Sequence, residues 1–403
     1  PPIAIPRVEA GLGKVCRLPC SGIAQLAGGG GSVRVLLVSE WGACEHGGVA
    51  SQVALLAQWL EKKGYDVWVL CNRGCCPDGR YVKAKSFLPL DHYAALPSLH
   101  GVERVIKEVN PDVVHVHHLF APLSAFAAVA SSKLGVPRVL TNHSLPPVGE
   151  ARAWAKVSYM APYRWLLKPT VATAVSAAAA QFSRELFGWR DVRVIPNAVD
   201  CSKFKPSEER GEREDWVLYV GRLVWRKGVH VLVKAAGILE KRGPPCKVLI
   251  AGEGYFERYL KLLSSGLRNV VLLGKVSERR KMELYRMSKV FVLPSLGGES
   301  FGVVLVEAFA SATPVVASRA GGIPEVVDSG VNGLLVDPGD PVQLADAISE
   351  VLSSEDLWKA LSRNARKKAE ERYSIEVIGK LYEQAYSDAL ELNTSAEHAA
   401  SSD

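Results

Sequence analysis

The stretch GGESFGVVLVEAFA, residues 297–310, carries two carboxylates eight positions apart, Glu299 and Glu307. Three chemistries use such a pair: the acid and base of a glycosidase, a metal pair, or two grips on one ligand. A glycosidase needs two carboxyls facing each other across a bond, about 5–10 Å apart. Eight residues turn a helix by roughly 80°, so the two do not share a helix face. The loop after KVFVL should hold Glu299, with a helix starting near Phe301 or Gly302 and Glu307 on its second turn. That helix carries Val303, Val304, Leu305, Val306, Ala308 and Phe309, apolar all round, which predicts burial. A buried, unpaired carboxylate costs several kcal/mol, so Glu307 needs a partner. A pair of ligand hydroxyls would serve, as would a salt bridge to Arg222 or another cation. The backbone N–H groups of Phe301, Gly302 and Val303 make an anion site at the helix start. An anion site with an acceptor before it and another behind it suits a diphosphate flanked by two sugars.

A second constellation lies in WVLYVGRLVWRKGVHVLVKAA, residues 216–236. A strand ends at Val220, Gly221 allows a turn, Arg222 follows, and Lys227 and Gly228 are expected to open a helix. Cations at a helix start oppose the macrodipole unless an anion binds there. A phosphate would reverse that balance, with Arg giving forked hydrogen bonds and Lys a point charge. The bland alternative is two surface cations. In EHGGVASQV, Gly47 and Gly48 let the backbone approach a ligand at another helix start, or form a plain turn. His143 in TNHS falls just past a strand end, as a site residue or as an ordinary core or surface histidine. His115 and His117 form an H-x-H pair, but no carboxylate or Cys lies near in sequence to complete a metal site, so no metal is expected.

The elements that must position these residues alternate. VRVLLVSE reads as a buried strand, and the next helix places Val49, Val53, Leu56 and Leu60 at helical spacing. YDVWVL, PDVVHVHH and PRVLTNHS are strands, with GVERVIKEVN and SAFAAVASSKLG as helices between them. After the charged stretch 203–215, which reads as a linker, a second series of strands and helices begins. Helices are expected over 228–241, 255–266, 278–288 and 302–311. The fold class is therefore α/β, with two Rossmann-like domains facing across a cleft. The expected organisation is a linker-like segment 1–32, a first domain 33–202, a second domain 216–371, a helix about 372–390 that crosses back, and a disordered tail 391–403. Ligands of such sheets bind at the carboxyl ends of strands, where the residues above fall.

The net charge of +7 is modest, and no arginine-rich tract or nucleic-acid motif accompanies it, so nucleic acid is not an expected partner. The eight cysteines include no C-x-x-C pair; Cys71, Cys75 and Cys76 cluster but read as reduced thiols. No secretory signal or membrane-spanning stretch is evident, so a cytoplasmic location is expected. Segment 151–169 mixes Trp154, Tyr159, Tyr163 and Trp165 with Arg152, Lys156, Arg164 and Lys168. That mixture suits peripheral contact with a membrane face, or a helix packed on the first domain.

Taken together, GGVASQ, TNHS, VIPNAVD, GRLVWRKG, GGESFGVVLVEA and GGIPEVV resemble the motifs of the retaining, GT-B-fold glycosyltransferases of family four. The resemblance runs from about Val33 to Tyr386. TNHS, VIPNAVD and RLVWRKG look most similar to members directed at phosphatidylinositol, the N-acetylglucosaminyltransferases and mannosyltransferases. It implies a UDP- or GDP-sugar donor as substrate, no cofactor and no metal, and a lipid or glycan hydroxyl as acceptor. By the same resemblance Arg222 and Lys227 hold the diphosphate, and Glu307 accepts from the ribose. Glu299 contacts the sugar beside the backbone of Phe301, Gly302 and Val303. Gly47 and Gly48 approach from the first domain, His143 lies by the sugar, and Val276 meets the base. Two other readings are a nucleotide-sugar epimerase of related fold and a binding protein without turnover.

Overall fold

The structure, a computed structural model, describes residues 32–42, 47–73, 81–83, 86–89, 95–146, 167–206 and 213–400. The expectations for residues 1–31, for Cys75 and Cys76, for segment 151–166 and for residues 207–212 of the linker lie outside the described residues.

The first half builds one parallel sheet. Its strands are β1 (Arg34–Trp41), β2 (Asp66–Arg73), β3 (Tyr81–Lys83), β6 (Val113–His117), β7 (Arg138–Asn142), β8 (Val171–Ala174) and β9 (Val192–Val194). The order is β3-β2-β1-β6-β7-β8-β9. The short antiparallel pair β4 (Ser86–Pro89) and β5 (Ala95–Pro97) stands apart. Helices α1 (Gly48–Lys62), α2 (Leu99–Val109), α3 (Pro122–Lys133) and α4 (Ala177–Phe187) cover this sheet. β1 and β6 are buried along most or all of their length, which is why both read as continuous apolar runs.

The second sheet is also parallel, in the order β12-β11-β10-β13-β14-β15. Its strands are β10 (Glu214–Val220), β11 (Lys247–Ala251), β12 (Val270–Gly274), β13 (Ser288–Leu293), β14 (Val315–Ser318) and β15 (Gly333–Val336). Its helices are α5 (Val229–Arg242), α6 (Glu257–Leu263), α7 (Glu278–Met287), α8 (Val303–Ala310), α9 (Ile323–Val326), α10 (Pro341–Ser353) and α11 (Glu355–Lys368). β10 takes in Glu214 and Asp215, which the charge pattern assigned to the linker. Arg213 before it donates to the carbonyls of Tyr285, Ser288 and Ser311, so this end of the segment is docked.

A π-helical turn, Ala369–Tyr373, leads into α12 (Ile375–Ala400). The helix returns to the first sheet, where Ile378, Tyr382, Ala385 and Tyr386 join the core containing Val53, Trp59 and Leu60. It continues to Ala400, so residues 391–400 are helical rather than disordered. ALELNTSAEHAA is rich in Ala, Leu and Glu, which propagate a helix already nucleated by packing. Gly379 lets α12 lie flat on α1: a Cβ there would sit 2.5 Å from the Trp59 ring. Gly379→Ala should destabilise the protein by about 1–3 kcal/mol through overpacking, read as a lowered Tm. An unchanged Tm would mean that this contact is loose.

Candidate functional site

Strand order decides where the site lies. The first sheet reverses direction between β1 and β6, the second between β10 and β13. Loops leaving neighbouring strands on either side of a reversal diverge and leave a crevice. The loop after β1 ends in Gly47 and Gly48. The loop after β10 carries Arg222 to Lys227, and the loop after β13 carries Pro294 to Gly302. Gly47, Gly48, Arg222, Lys227, Glu299, Phe301 and Gly302 thus flank the two switch points, whereas His143 follows β7 and Val276 follows the edge strand β12.

The two loops of the second sheet interlock. Lys227 ends a 3-10 turn, Trp225–Lys227, rather than opening the helix. Gly228 then adopts a left-handed conformation (φ 68°), and α5 starts at Val229. A Cβ on Gly228 would lie 1.8 Å from the Pro294 carbonyl oxygen, so only glycine lets the loops approach this closely. Leu296 N–H donates to the Arg226 carbonyl at 2.8 Å, and Arg226 Nη1 donates to the Gly298 carbonyl at 3.2 Å. Lys227 Nζ pairs with Glu299 Oε2. The side chains of this pair are 14% and 13% exposed, so the ions are largely withdrawn from water. Arg222 stays exposed, and its carbonyl accepts from Tyr219 Oη at 3.0 Å.

Burial opposes the charge on Glu299, but Lys227, Arg226 and Ser295 outweigh it and hold its carboxyl below the usual range. Burial also lowers the Lys227 ammonium, against the pull of Glu299, with Arg226 and Arg222 adding repulsion. The loop therefore concentrates positive charge that one internal carboxylate neutralises only in part. A depressed folded-state pKa means that Glu299 contributes stability above its unfolded value, near 4.3, and that this is lost as pH falls through the folded value. Thermal melts from pH 7 down to 3 should fall more steeply for the wild type than for Glu299→Gln. Parallel curves would remove Glu299 from the acid transition.

Glu307 lies on the second turn of α8, only 7% exposed. Its Oε1 accepts from Lys281 Nζ at 2.8 Å and its Oε2 from Tyr285 Oη at 3.0 Å. The cation beside it is thus Lys281, not Arg222. Burial pushes the Glu307 carboxyl up, and Lys281 and Tyr285 only partly counter this. Burial weighs against the Lys281 charge, but Glu307 and Glu278 together raise its pKa. α8 begins at Val303 behind a left-handed Gly302 (φ 86°), and no side chain caps it. Phe301 is buried edge-on against Tyr373. Val276 is half-buried between β12 and α7, the helix that carries Lys281 and Tyr285.

The first sheet supplies the opposite wall. Gly47 is the extended N-cap of α1 and both glycines are exposed. A Cβ on Gly48 would touch Val303 Cγ2 at 3.7 Å, so the starts of α1 and α8 face each other. His143 follows β7, and its carbonyl accepts from Ser300 Oγ at 2.7 Å across the cleft. Its ring Nε2 is 3.0 Å from His117 Nδ1. Burial, with His117 and His118 nearby, holds the His143 imidazole well below its usual range, so the ring is neutral at pH 7. His115 spends both ring nitrogens on Tyr386 Oη and Thr141 Oγ1, each at 2.7 Å. Its role is to tie α12 to β6 and β7.

Gly48, His143, Lys227, Glu299 and Val303 are thus brought to one crevice. Glu307 stands behind α8 with its own cation, and Arg222 stands at the rim. Sequence reasoning missed Arg226, Ser295, Ser300, Lys281 and Tyr285, and weighed His117 only as half of an H-x-H pair, not as the neighbour of His143. Arg226 adjoins Lys227 and could have been included on charge alone. Lys281 and Tyr285 are i,i+4 neighbours on one helix face, but no local signal aims them at Glu307.

Comparison with known proteins accords with this geometry. Residues 46–203 match the family Glycosyltransferase Family 4, and residues 201–368 match Glycosyl transferases group 1. The chain is 30% identical over 369 residues to the phosphatidyl-myo-inositol mannosyltransferase of Mycolicibacterium smegmatis, covering 86% of this chain and 91% of that protein. It is 28% identical to the sulfoquinovosyl transferase SQD2 of Arabidopsis thaliana, covering 83% of this chain and 69% of that protein. Among solved structures, Anabaena HepE in complex with UDP-glucose superposes with a TM-score of 0.71 at 21% identity, covering 88% of this chain and 99% of that one. Two parallel sheets, a crevice at their facing switch points and this similarity along nearly the whole length lead to one conclusion: the chain belongs to the GT-B-fold glycosyltransferases of family four.

Proposed function

We propose that the protein is a retaining, metal-independent transferase that moves a sugar from a UDP- or GDP-sugar to a hydroxyl of a lipid or glycan. A phosphoinositide-type lipid is the favoured acceptor. The observation that carries the reading is the interlocked loop pair. It sets Lys227 and Arg226 beside Glu299 and the uncapped start of α8, directly across from Gly48 and His143. Charge grows on the diphosphate as the anomeric bond breaks toward an oxocarbenium-like state. Arg222, Lys227 and the N–H groups at the α8 start stabilise that charge, with little reorganisation because their positions are fixed beforehand. The acceptor hydroxyl attacks on the leaving-group face, and the diphosphate takes its proton. Glu299 leaves Lys227 for the sugar hydroxyls when the diphosphate arrives, and Glu307 accepts from the ribose.

Support for the donor class comes from HepE, solved with UDP-glucose, and for the acceptor class from the mannosyltransferase named for phosphatidyl-myo-inositol. No described helix is long and apolar enough to cross a membrane. A lipid acceptor would be met at the cytoplasmic membrane face, with segment 151–169 as the contact. The test is a panel of UDP-, GDP- and ADP-sugars with phosphatidylinositol vesicles and with soluble glycans, in the presence of EDTA, following nucleotide release. Acceptor-dependent release, with the donor's anomeric configuration kept in the product, is expected. Conversion of the donor without an acceptor would indicate an epimerase, and tight binding without release a binding protein.

A further inference from the structure

One carboxylate crosses the cleft to an element of the other sheet. Glu325 sits on α9, in the second domain. Its Oε2 accepts from the Ala177 N–H at 2.5 Å and its Oε1 from the Ala178 N–H at 2.8 Å, both in the first turn of α4 in the first domain. First-turn N–H groups have no intrahelical partner, and the helix dipole favours an anion there. Ser176 already serves as the side-chain cap, accepting from the Ala179 N–H at 3.1 Å. Glu325 therefore adds a second, inter-domain cap to a helix that has its own.

The segment that carries Glu325 touches two other places that matter. Gly322 N–H donates to the Glu299 carbonyl at 2.8 Å, tying the segment to the loop that holds the Lys227 partner. Tyr373 Oη donates to the Glu325 carbonyl at 3.5 Å, and its ring meets Phe301 edge-on. Tyr373 ends the π-helical turn where the chain returns to the first domain, and its carbonyl accepts from Val199 N–H at 2.8 Å. π-Turns recur at functional positions in helices. One short segment thus contacts the donor loop, the chain crossing and the opposite domain.

We propose that Glu325 is a positioning residue, a latch that holds the donor loop of the second domain against α4 of the first. With the latch made, Lys227 and Glu299 face Gly48 and His143. The geometry couples the latch to nucleotide binding through Gly322 and Glu299, and such coupling is reciprocal. The nucleotide part rests on the proposed function; the latch itself does not.

The experiment uses the full chain and three variants, Glu325→Ala, Ala177→Pro and their combination. Proline suits the first helical position and removes only the N–H, and the extended Ser176 before it is compatible with a following proline. Hydrogen exchange at Ala177 and Ala178 should quicken about tenfold in Glu325→Ala, the effect of losing a charge-assisted hydrogen bond. Small-angle scattering of the ligand-free protein should show a larger radius of gyration for every variant. UDP or GDP, whichever the wild type binds, should bind about fivefold more weakly to Glu325→Ala, with a smaller loss in Ala177→Pro, which keeps the Ala178 N–H bond, and no more weakly to the double variant than to Glu325→Ala, because the proline removes a bond already lost there. Unchanged exchange and scattering in Glu325→Ala would overturn the latch. Faster exchange with unchanged scattering and nucleotide affinity would reduce Glu325 to a helix cap and also overturn it. A wild type that binds neither nucleotide would refute the donor reading, while exchange and scattering would still decide the latch.

Discussion

Lys227→Met should lower kcat/KM for the donor by about 10²–10³, because it removes a preorganised cation aimed at the charge that develops on the leaving diphosphate. Most of the loss should fall on kcat, since that charge is greatest in the transition state. The same change leaves Glu299 buried without its main counter-ion, with Arg226 and Ser295 as its remaining partners. Breaking a buried pair from one side costs about 3 kcal/mol, so stability should fall as well. A double variant, Lys227→Met with Glu299→Gln, separates the two effects: urea melts should recover most of the stability while turnover stays low. Turnover of Lys227→Met within threefold of wild type would show that the diphosphate is held elsewhere.

Replacing Glu307 should act differently. Glu307→Ala is expected to raise the donor KM about 10- to 100-fold, the value of a charged acceptor lost from a ribose hydroxyl pair. Its kcat should change little, because the ribose does not alter during the reaction. The fold should tolerate the change. The folded-state pKa of Glu307 is raised, so its contribution to stability is complete below the unfolded value and is lost as pH rises through the folded one. Burial thus disfavours the charged form of Glu307 in the folded protein, although Glu307 in turn favours the charge on Lys281. Lys281 keeps Glu278 as a partner at 3.1 Å when Glu307 is gone. Thermal melts should shift by no more than a few degrees. Unchanged donor affinity in Glu307→Ala would refute the ribose role, and a large loss of stability would recast Glu307 as a structural ion pair with Lys281 and Tyr285.

The contrast between the two glutamates rests on their neighbours. Glu299 is held below the usual carboxylate range by Lys227, and in the proposed reaction a diphosphate that competes for Lys227 would free it. Glu307 is held from behind by a lysine and a tyrosine on α7, which fix its carboxylate without filling the crevice. Both were identified from local pattern: a carboxylate after a glycine pair, and a carboxylate inside an all-apolar helix. Their partners were not.

Local pattern in the chain was enough to establish the two alternating β/α series and the parallel sheets, and to place Gly48, His143, Lys227 and Glu299 in the segments that follow strands and Glu307 inside a buried helix. Those follow from short-range periodicity and from the rule that ligands meet the carboxyl ends of parallel strands. It misjudged the chain end, because 391–400 lacks tertiary cues yet continues a helix nucleated by packing on α1. The pairing of Lys227 with Glu299, the place of Lys281 rather than Arg222 beside Glu307, and the reach of Glu325 to α4 come from the fold. Those partners sit 72, 26 and 148 positions apart, beyond the reach of any local pattern. Which loops become neighbours is set by strand order and by how the two sheets face, and neither leaves a trace in local periodicity.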